Sequence, residues 1–285
     1  MSSRRTFRQP ARDVAWQRQL RDQHNDEGLP PGLEESELHV SSSRVRPVSR
    51  ALAKQVILKY EWLGTMSHTG WHFGLFYGEW CAGVVCFAVG GGATGGSNVH
   101  KEWGLEPRGL ATLARGACVH WAPAGSNSRL IAHAVKLLQR ATGVKLVLAY
   151  SDTDAGEIGT VYQAAGWAYV GRGQSTNQLV APNGRIYDQK QVSNYRKAHN
   201  PQLSWRAQRD ALLAAGWREQ PTNPKHRYVL VLDRADAELV ARVEAKRLPY
   251  PKRLRAVAAS SDAPGFQSGE GGSQPTPPLQ LIEAR

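Results

Sequence analysis

Three cysteines in 285 residues, Cys81, Cys86 and Cys118, make neither a CxxC pair nor an even set. That excludes a disulfide framework and a zinc finger. All three fall in apolar, strand-like runs, so buried thiols in a reducing compartment are expected. No apolar run approaches the roughly 20 residues that span a bilayer. The arginines of "MSSRRTFRQPARDVAWQRQL" precede no apolar stretch of the secretory kind. A cytoplasmic protein without a membrane segment is the expectation. The glycine-rich "GGGATGGSNVH" ends in no Gly-Lys-Ser/Thr, so it reads as a flexible loop and not as a phosphate loop. Acid is also short: 24 Asp and Glu stand against 36 Lys and Arg, a formal net charge of +12. Such an excess suits a polyanionic partner, because cations on one face release counterions from phosphates.

Nine tryptophans and a hydrophobic content of 41% supply material for a packed core. Residues 1–36 are polar, charged and interrupted by "GLPPGLEE", with one short helix at Asp13 to Gln23, and read as a mobile basic arm. The folded domain is expected over 37–248. It opens with a strand in "LHVSSSRVRPV" and a helix, "SRALAKQVILKYEW", capped by Ser49. A hairpin follows, His72 to Tyr77 and Cys81 to Val89, turning at Gly78-Glu79. "GLATLARGACVHW" is a buried strand, and "SNSRLIAHAVKLLQRATG" a helix capped by Ser126 or Asn127, with Leu130, Ile131, Ala134, Val135 and Leu138 as its apolar stripe. "VKLVLAY" has the continuous apolarity of a strand buried on both faces.

A short helix "EIGTVYQAAG", a strand "WAYVGRG", a hairpin about Asn183-Gly184, a helix ended by Gly216, a strand "HRYVLVLD" and a helix from Ala235 to Leu248 complete the domain. Residues 249–285 are rich in Pro, Gly and Ser and read as a disordered tail. The fold class is α/β, or α+β in layers: a mixed sheet flanked by helices, because the long connections need helical crossovers and the first hairpin does not.

Chemistry gathers at two strand ends. In "CVHWAPAGSNSRLI" a strand breaks at Pro123 and a helix begins, aiming free amides past the strand end, where a pyrophosphate fits. The next strand runs into "SDTD", and Tyr162 lies on the helix beyond. This arrangement resembles the GNAT superfamily of N-acetyltransferases. The resemblance implies acetyl-CoA as cofactor, with Ser126, Asn127, Ser128 and Arg129 at its phosphates and Tyr162 protonating the departing thiolate. The loop itself, "APAGSNSR", lacks that superfamily's Gly-x-Gly/Ala signature.

More specifically, "LARGACVHW", "SNSRLIAHAVKLL", "LAYSDTDAGEIGTVYQAAGWAYVGRG" and "PKHRYV" resemble the Mom family of phage-encoded DNA adenine modification proteins, themselves GNAT-like. This resemblance implies that an acetyl-CoA-derived unit reaches the N6 amine of adenine in double-stranded DNA, giving a carbamoylmethyl-type adduct that resists restriction. It implies functional roles for Arg115, Ser128, Asp152 and Tyr162. It also implies iron or another divalent metal held by Asp152, Tyr162, Tyr60 and Glu61, with "KYEWLGTM" standing where the family commonly has a His-Tyr pair.

Each residue also has a plainer reading. Asp152 caps a turn, and Asp154 and Glu157 cap the following helix and complement its dipole. Tyr162 packs in the core. Arg115, inside an apolar strand, needs an acidic partner, for which Asp152 or Glu157 is available. His120 and His133 are structural.

Between 174 and 227 lies a basic insertion. Arg185, Lys190, Arg196, Lys197, Arg206, Arg209, Lys225 and Arg227 are its candidate DNA contacts, interleaved with Tyr187, Tyr195, Trp205 and Trp217. Beside an acyl-CoA site, such a surface suits a base that must leave the duplex to react. Two other readings stay open: an acetyltransferase of a small amine or protein lysine, and a non-enzymatic DNA-binding protein on a GNAT scaffold.

Overall fold

A seven-stranded mixed sheet, ordered β1-β2-β3-β4-β5-β10-β6, organises the computed structural model, which describes residues 16–90, 98–184, 186–187 and 189–252. Helix α1 (Trp16–Asp22) precedes β1 (Arg44–Pro47) and α2 (Arg50–Tyr60). Ser49 caps α2 as expected, its hydroxyl accepting from the Leu52 amide at 3.2 Å. The hairpin β2 (Trp71–Tyr77) and β3 (Trp80–Val89) turns at Gly78, whose φ of +52° explains the glycine. A short α3 (Val99–Glu102) leads to β4 (Leu110–Cys118), α4 (Ser126–Thr142) and β5 (Leu146–Ser151). Then come α5 (Thr160–Ala164) and β6 (Ala168–Arg172).

The chain next leaves the main sheet. Strands β7 (Asn177–Val180) and β8 (Ile186–Tyr187), helices α6 (Gln189–His199) and α7 (Trp205–Ala214), and β9 (Arg218–Pro221) build a second, three-stranded sheet ordered β8-β7-β9. β10 (His226–Val231) then returns between β5 and β6, and α8 (Ala237–Glu244) follows. The basic insertion is thus a small α/β unit spliced into an edge hairpin of the main sheet.

Alternation along the central strands divides the interior in two. Ala111, Leu113, Val147 and Ala149 pack with α2 and α4, whereas Leu110, Leu146 and Leu148 pack on the other side with Trp103, Leu239 and Val243. This two-sided burial explains the unbroken apolarity of "VKLVLAY". Leu146 and Leu148 are wholly buried, each contributing about 1.5–3 kcal/mol. The five residues expected on the apolar stripe of α4 are all buried.

Two expectations about the ends are corrected. Residues 16–36 of the supposedly mobile arm pack on the domain: Leu20 and Leu33 are buried, Gln17 donates to the Gly116 carbonyl at 3.0 Å, and Arg21 donates to the His120 and Ala122 carbonyls. Two leucines and a set of satisfied backbone carbonyls offset the ordering of a polar segment. The rest of that arm lies outside the described residues. Residues 249–252, expected to begin a disordered tail, pack on the domain instead. Tyr250 donates to the Trp167 carbonyl at 2.7 Å and the Pro251 carbonyl accepts from Gln163, while residues beyond 252 lie outside the described part.

Where β3 meets β4, Gly83 has no room for a side chain. A Cβ there would stand 2.5 Å from the Cys118 sulfur and 2.9 Å from the Ala117 carbonyl oxygen. Gly83→Ala should therefore lower stability by about 1–3 kcal/mol, read as an earlier urea midpoint with an unchanged m-value.

Candidate functional site

Strands β4 and β5 are the parallel pair of the main sheet, and they pair over only four rungs, from Leu110 opposite Leu146 to Leu113 opposite Ala149. Beyond that they part. The cause is local: between the rungs Phe87–Leu113 and Cys86–Arg115, β4 carries one extra residue, Ala114, a bulge that bends the strand. The gap opens into a cleft of about 1700 Å³, lined by residues from both diverging strands, α4, α5, the N-terminal segment and the inserted unit.

At the β4 side, α4 begins with Gly125 at φ +90°. This left-handed glycine takes the N-cap position expected of Ser126 or Asn127. Ser126 is buried, its hydroxyl 3.2 Å from that of Tyr77, and Arg129 spends its guanidinium on Ser43 Oγ (2.8 Å) and the carbonyls of Ser41 and Ser43. Neither side chain is placed to meet a phosphate. Asn127 does line the cleft, and Ser128 is half-buried beside it. The first-turn amides there have no intrahelical partner.

The opposite wall gathers acids. Asp152 follows β5, its Oδ1 accepting from the Asp154 amide at 3.0 Å and its Oδ2 lying 2.6 Å from Lys225 Nζ. Glu61, just past α2, is buried, its carboxylate accepting from the Gly64 amide and standing 4.0 Å from Arg115 Nε. Glu157 also lines the cleft, and its own amide donates to the Asp152 carbonyl at 3.0 Å. Both glutamates are pushed up to about 7, first by burial; at Glu157 the neighbouring Glu61 and then Asp152 act in the same direction, whereas at Glu61 the Arg115 guanidinium opposes the rise. Three carboxylates thus share a poorly hydrated space with the two cations Arg115 and Lys225.

Tyr162 sits 8% exposed at the floor, its ring 5.2 Å from that of Trp167 and 5.3 Å from that of Tyr228. Its hydroxyl makes no hydrogen bond among the described residues, and the residue lines the cleft. Burial and then Glu157 hold it protonated well above the usual phenol range. Burial also pushes Cys86 and Cys118 up to about 12, which removes both as nucleophiles.

The loop that carries Glu157 is pinned from the far end of the sequence. β10 lies antiparallel to β5 with His226 opposite Ser151, so "KHRY" and "AYSD" are register partners. Tyr228 donates to the Ile158 carbonyl at 2.5 Å and accepts from Gln163 at 3.0 Å.

Several sequence expectations need revision here. Arg115 pairs with Glu61 and donates to the Thr65 carbonyl at 2.8 Å, and not with Asp152 or Glu157. Asp154 caps no helix; it accepts from the Asn223 amide and side chain at 3.1 and 2.6 Å. Glu157, expected only to start a helix, faces the cleft instead. The implied metal set does not converge: Tyr60 gives its hydroxyl to His120 at 2.8 Å and both Asp152 oxygens are engaged. Among the described residues no group of three or more His, Cys, Asp or Glu is placed to hold a metal. This donor set does not fit iron or another divalent ion.

Of the basic candidates, Arg209 is locked bidentate to Glu219 at 2.7 Å, Arg227 pairs with Glu102 at 2.6 Å, and Arg196 donates to the Leu203 carbonyl. Each of these three thus already has a partner within the protein. Lys197 and Arg206 are exposed, and Lys197 and Lys225 reach the cleft. Arg185 and the side chain of Lys190 lie outside the described residues. No helix among the described residues is long and apolar enough to cross a membrane.

Comparison with known proteins agrees in one direction. The methylcarbamoylase Mom of Escherichia phage Mu is 24% identical over 211 residues, which cover 73% of this chain and 83% of that protein. Among solved structures, FeeM, an N-acyl amino acid synthase from uncultured soil microbes, is 14% identical with a TM-score of 0.39, covering 72% of this chain and 95% of its own. A ribosomal-protein-S5-alanine acetyltransferase from Vibrio fischeri is 8% identical with a TM-score of 0.36, covering 68% and 94%. Likeness at that level carries no activity across. The model of the Mom protein family matches residues 42–252, from just before β1 to the last described residue, and the chain belongs to that family.

Proposed function

We propose that this protein is a DNA-modifying enzyme that draws on acetyl-CoA and acts on the N6 amine of adenine. The observation that supports the reading is the cleft at the parting of β4 and β5, lined by Asn127 from the first turn of α4 and by Asp152, Glu157 and Tyr162. An extended thioester laid along the free edge of β4 would have its phosphates at Asn127 and Ser128 and its sulfur toward Tyr162. The exocyclic amine of a flipped adenine would enter from the side of the inserted unit, where Lys197 and Arg206 present charge to the backbone.

In the transfer step the amine nitrogen bonds to the acyl carbon and the carbon–sulfur bond breaks. Glu157 takes the proton leaving nitrogen, and Tyr162 gives its proton to the departing thiolate. Arg115, fixed by Thr65 and Glu61, orients the acyl oxygen. A carbamoylmethyl adduct is joined through its methylene carbon and carries an amide nitrogen. Acyl transfer at the carbonyl carbon therefore does not give that adduct: it ends at an N6-acetyl amine, and the N–CH2 bond of a carbamoylmethyl group would need an oxidant for the methyl carbon as well as a nitrogen donor.

The test pits DNA against other amines. Purified protein with labelled acetyl-CoA should transfer label to duplex DNA containing adenine and not to a panel of small amines or lysine peptides. Transfer to the panel alone would support an ordinary acetyltransferase. Failure of acetyl-CoA to raise the melting temperature would support a DNA-binding scaffold without catalysis.

A further inference from the structure

We propose that Lys225 is a phosphate-responsive positioning residue: in the DNA-free protein its ammonium holds Asp152, and a backbone phosphate of bound DNA draws it away, releasing the Asp152 carboxylate to the cleft. This rests on the DNA-modifying reading above. Strand register brings the two together. His226 stands opposite Ser151 in the β5–β10 ladder, so the next pair outward sets Lys225 opposite Asp152, and Nζ reaches Oδ2 at 2.6 Å.

The two ends of this pair are unequal. The Lys225 side chain is 42% exposed and the Asp152 side chain 11%. Asp152 cannot follow a moving partner, because its other oxygen is bound to the Asp154 amide at 3.0 Å. Backbone contacts fix the lysine's root: the Gly173 amide donates to the Lys225 carbonyl at 2.8 Å, and Asn223 is tied twice to Asp154. What can move is the flexible four-carbon stem, whose compact charge suits a phosphate oxygen. The lysine also belongs to the segment that leads out of the basic unit, on the cleft side, where a DNA strand would arrive.

Binding, and not turnover, tests this. If Asp152 competes with phosphate for Lys225, Asp152→Asn should bind duplex DNA about two- to fivefold more tightly than wild type, the range expected when a partly exposed ion pair no longer holds the lysine. The asparagine still accepts from the Asp154 amide, so the turn is kept. In a Lys225→Met background the same change should do nothing, and Lys225→Met alone should lower the salt slope of DNA binding by about 1. Lys225→Arg should restore the slope, and Lys225→Gln serves if the methionine variant melts early.

Tightening by Asp152→Asn that persists without Lys225 would reduce the effect to bulk charge and overturn the proposal. CoA, which also carries phosphates, is titrated separately; tightening for CoA and not for DNA would overturn the assignment to DNA. Wild-type protein that binds no DNA at all would instead sink the DNA-modifying reading itself.

Discussion

Replacing Glu157 by glutamine should lower the rate of adenine modification by about 10²–10⁴-fold, the range supplied by a positioned proton acceptor, with DNA and acetyl-CoA affinities within a few-fold of wild type. The glutamine amide keeps the shape of the side chain but accepts no proton. The pH dependence gives the sign. Burial and then the neighbouring acids Glu61 and Asp152 push Glu157 up from 4.5 to about 7, so it is half ionised near neutrality and the wild-type rate should rise as pH passes through about 7.

Stability runs the other way. A carboxyl whose pKa is raised on folding contributes stability that is fully present below its unfolded value, near 4.5, and is lost as pH climbs through about 7. Glu157→Gln should therefore be more stable than wild type above pH 7, by up to about 3 kcal/mol, and indistinguishable below pH 4. Stopped transfer assays and urea melts at pH 4 and 8 measure both limbs. A variant with wild-type turnover would remove Glu157 from the chemistry.

Gly159→Ala should be the most destabilising single methyl in the site loop. Gly159 sits at φ +74°, in the left-handed region, where an alanine costs about 1–2 kcal/mol in backbone strain. Its Cβ would also lie 2.3 Å from Cε2 and 2.6 Å from Cζ of Tyr228. That ring cannot retreat. It is wholly buried, and its hydroxyl is held between the Ile158 carbonyl and Gln163. Adding overpacking of about 1–3 kcal/mol, the total loss is expected at about 3 kcal/mol or more, with a drop in melting temperature and loss of activity together. A Tyr228→Phe background should recover little of it, since the clash is with ring carbons and not with the hydroxyl alone.

The reasons some features were legible in the sequence are physical. α4 declared itself because five apolar residues recur at helical spacing, and the β2–β3 hairpin because two apolar runs flank a glycine that must adopt positive φ. Polar or short elements stayed hidden: α3, α6 and β9 carry no apolar periodicity of their own and form against a neighbour. The start of α4 was misplaced by one residue because a left-handed glycine can begin a helix as well as a serine can. At the site, "SDTDAGE" marked a cluster of acids, but local chemistry could not sort them. Asp154 turned to Asn223, and Glu157 came under the repulsion of Glu61, residues far along the chain that only the folded sheet brings near. The sequence showed "KHRY" and "AYSD" only as two motifs of a single family pattern; their antiparallel register is set by the folded sheet.

Whether the protein modifies adenine is read by nucleoside mass spectrometry of DNA from cells expressing it, with Glu157→Gln and Tyr162→Phe as controls. Wild-type protein should yield a mass-shifted deoxyadenosine that falls at least tenfold with either variant while both remain folded. Unmodified deoxyadenosine in wild-type cells supplied with acetyl-CoA, or a modified base undiminished by both substitutions, would contradict the proposed function.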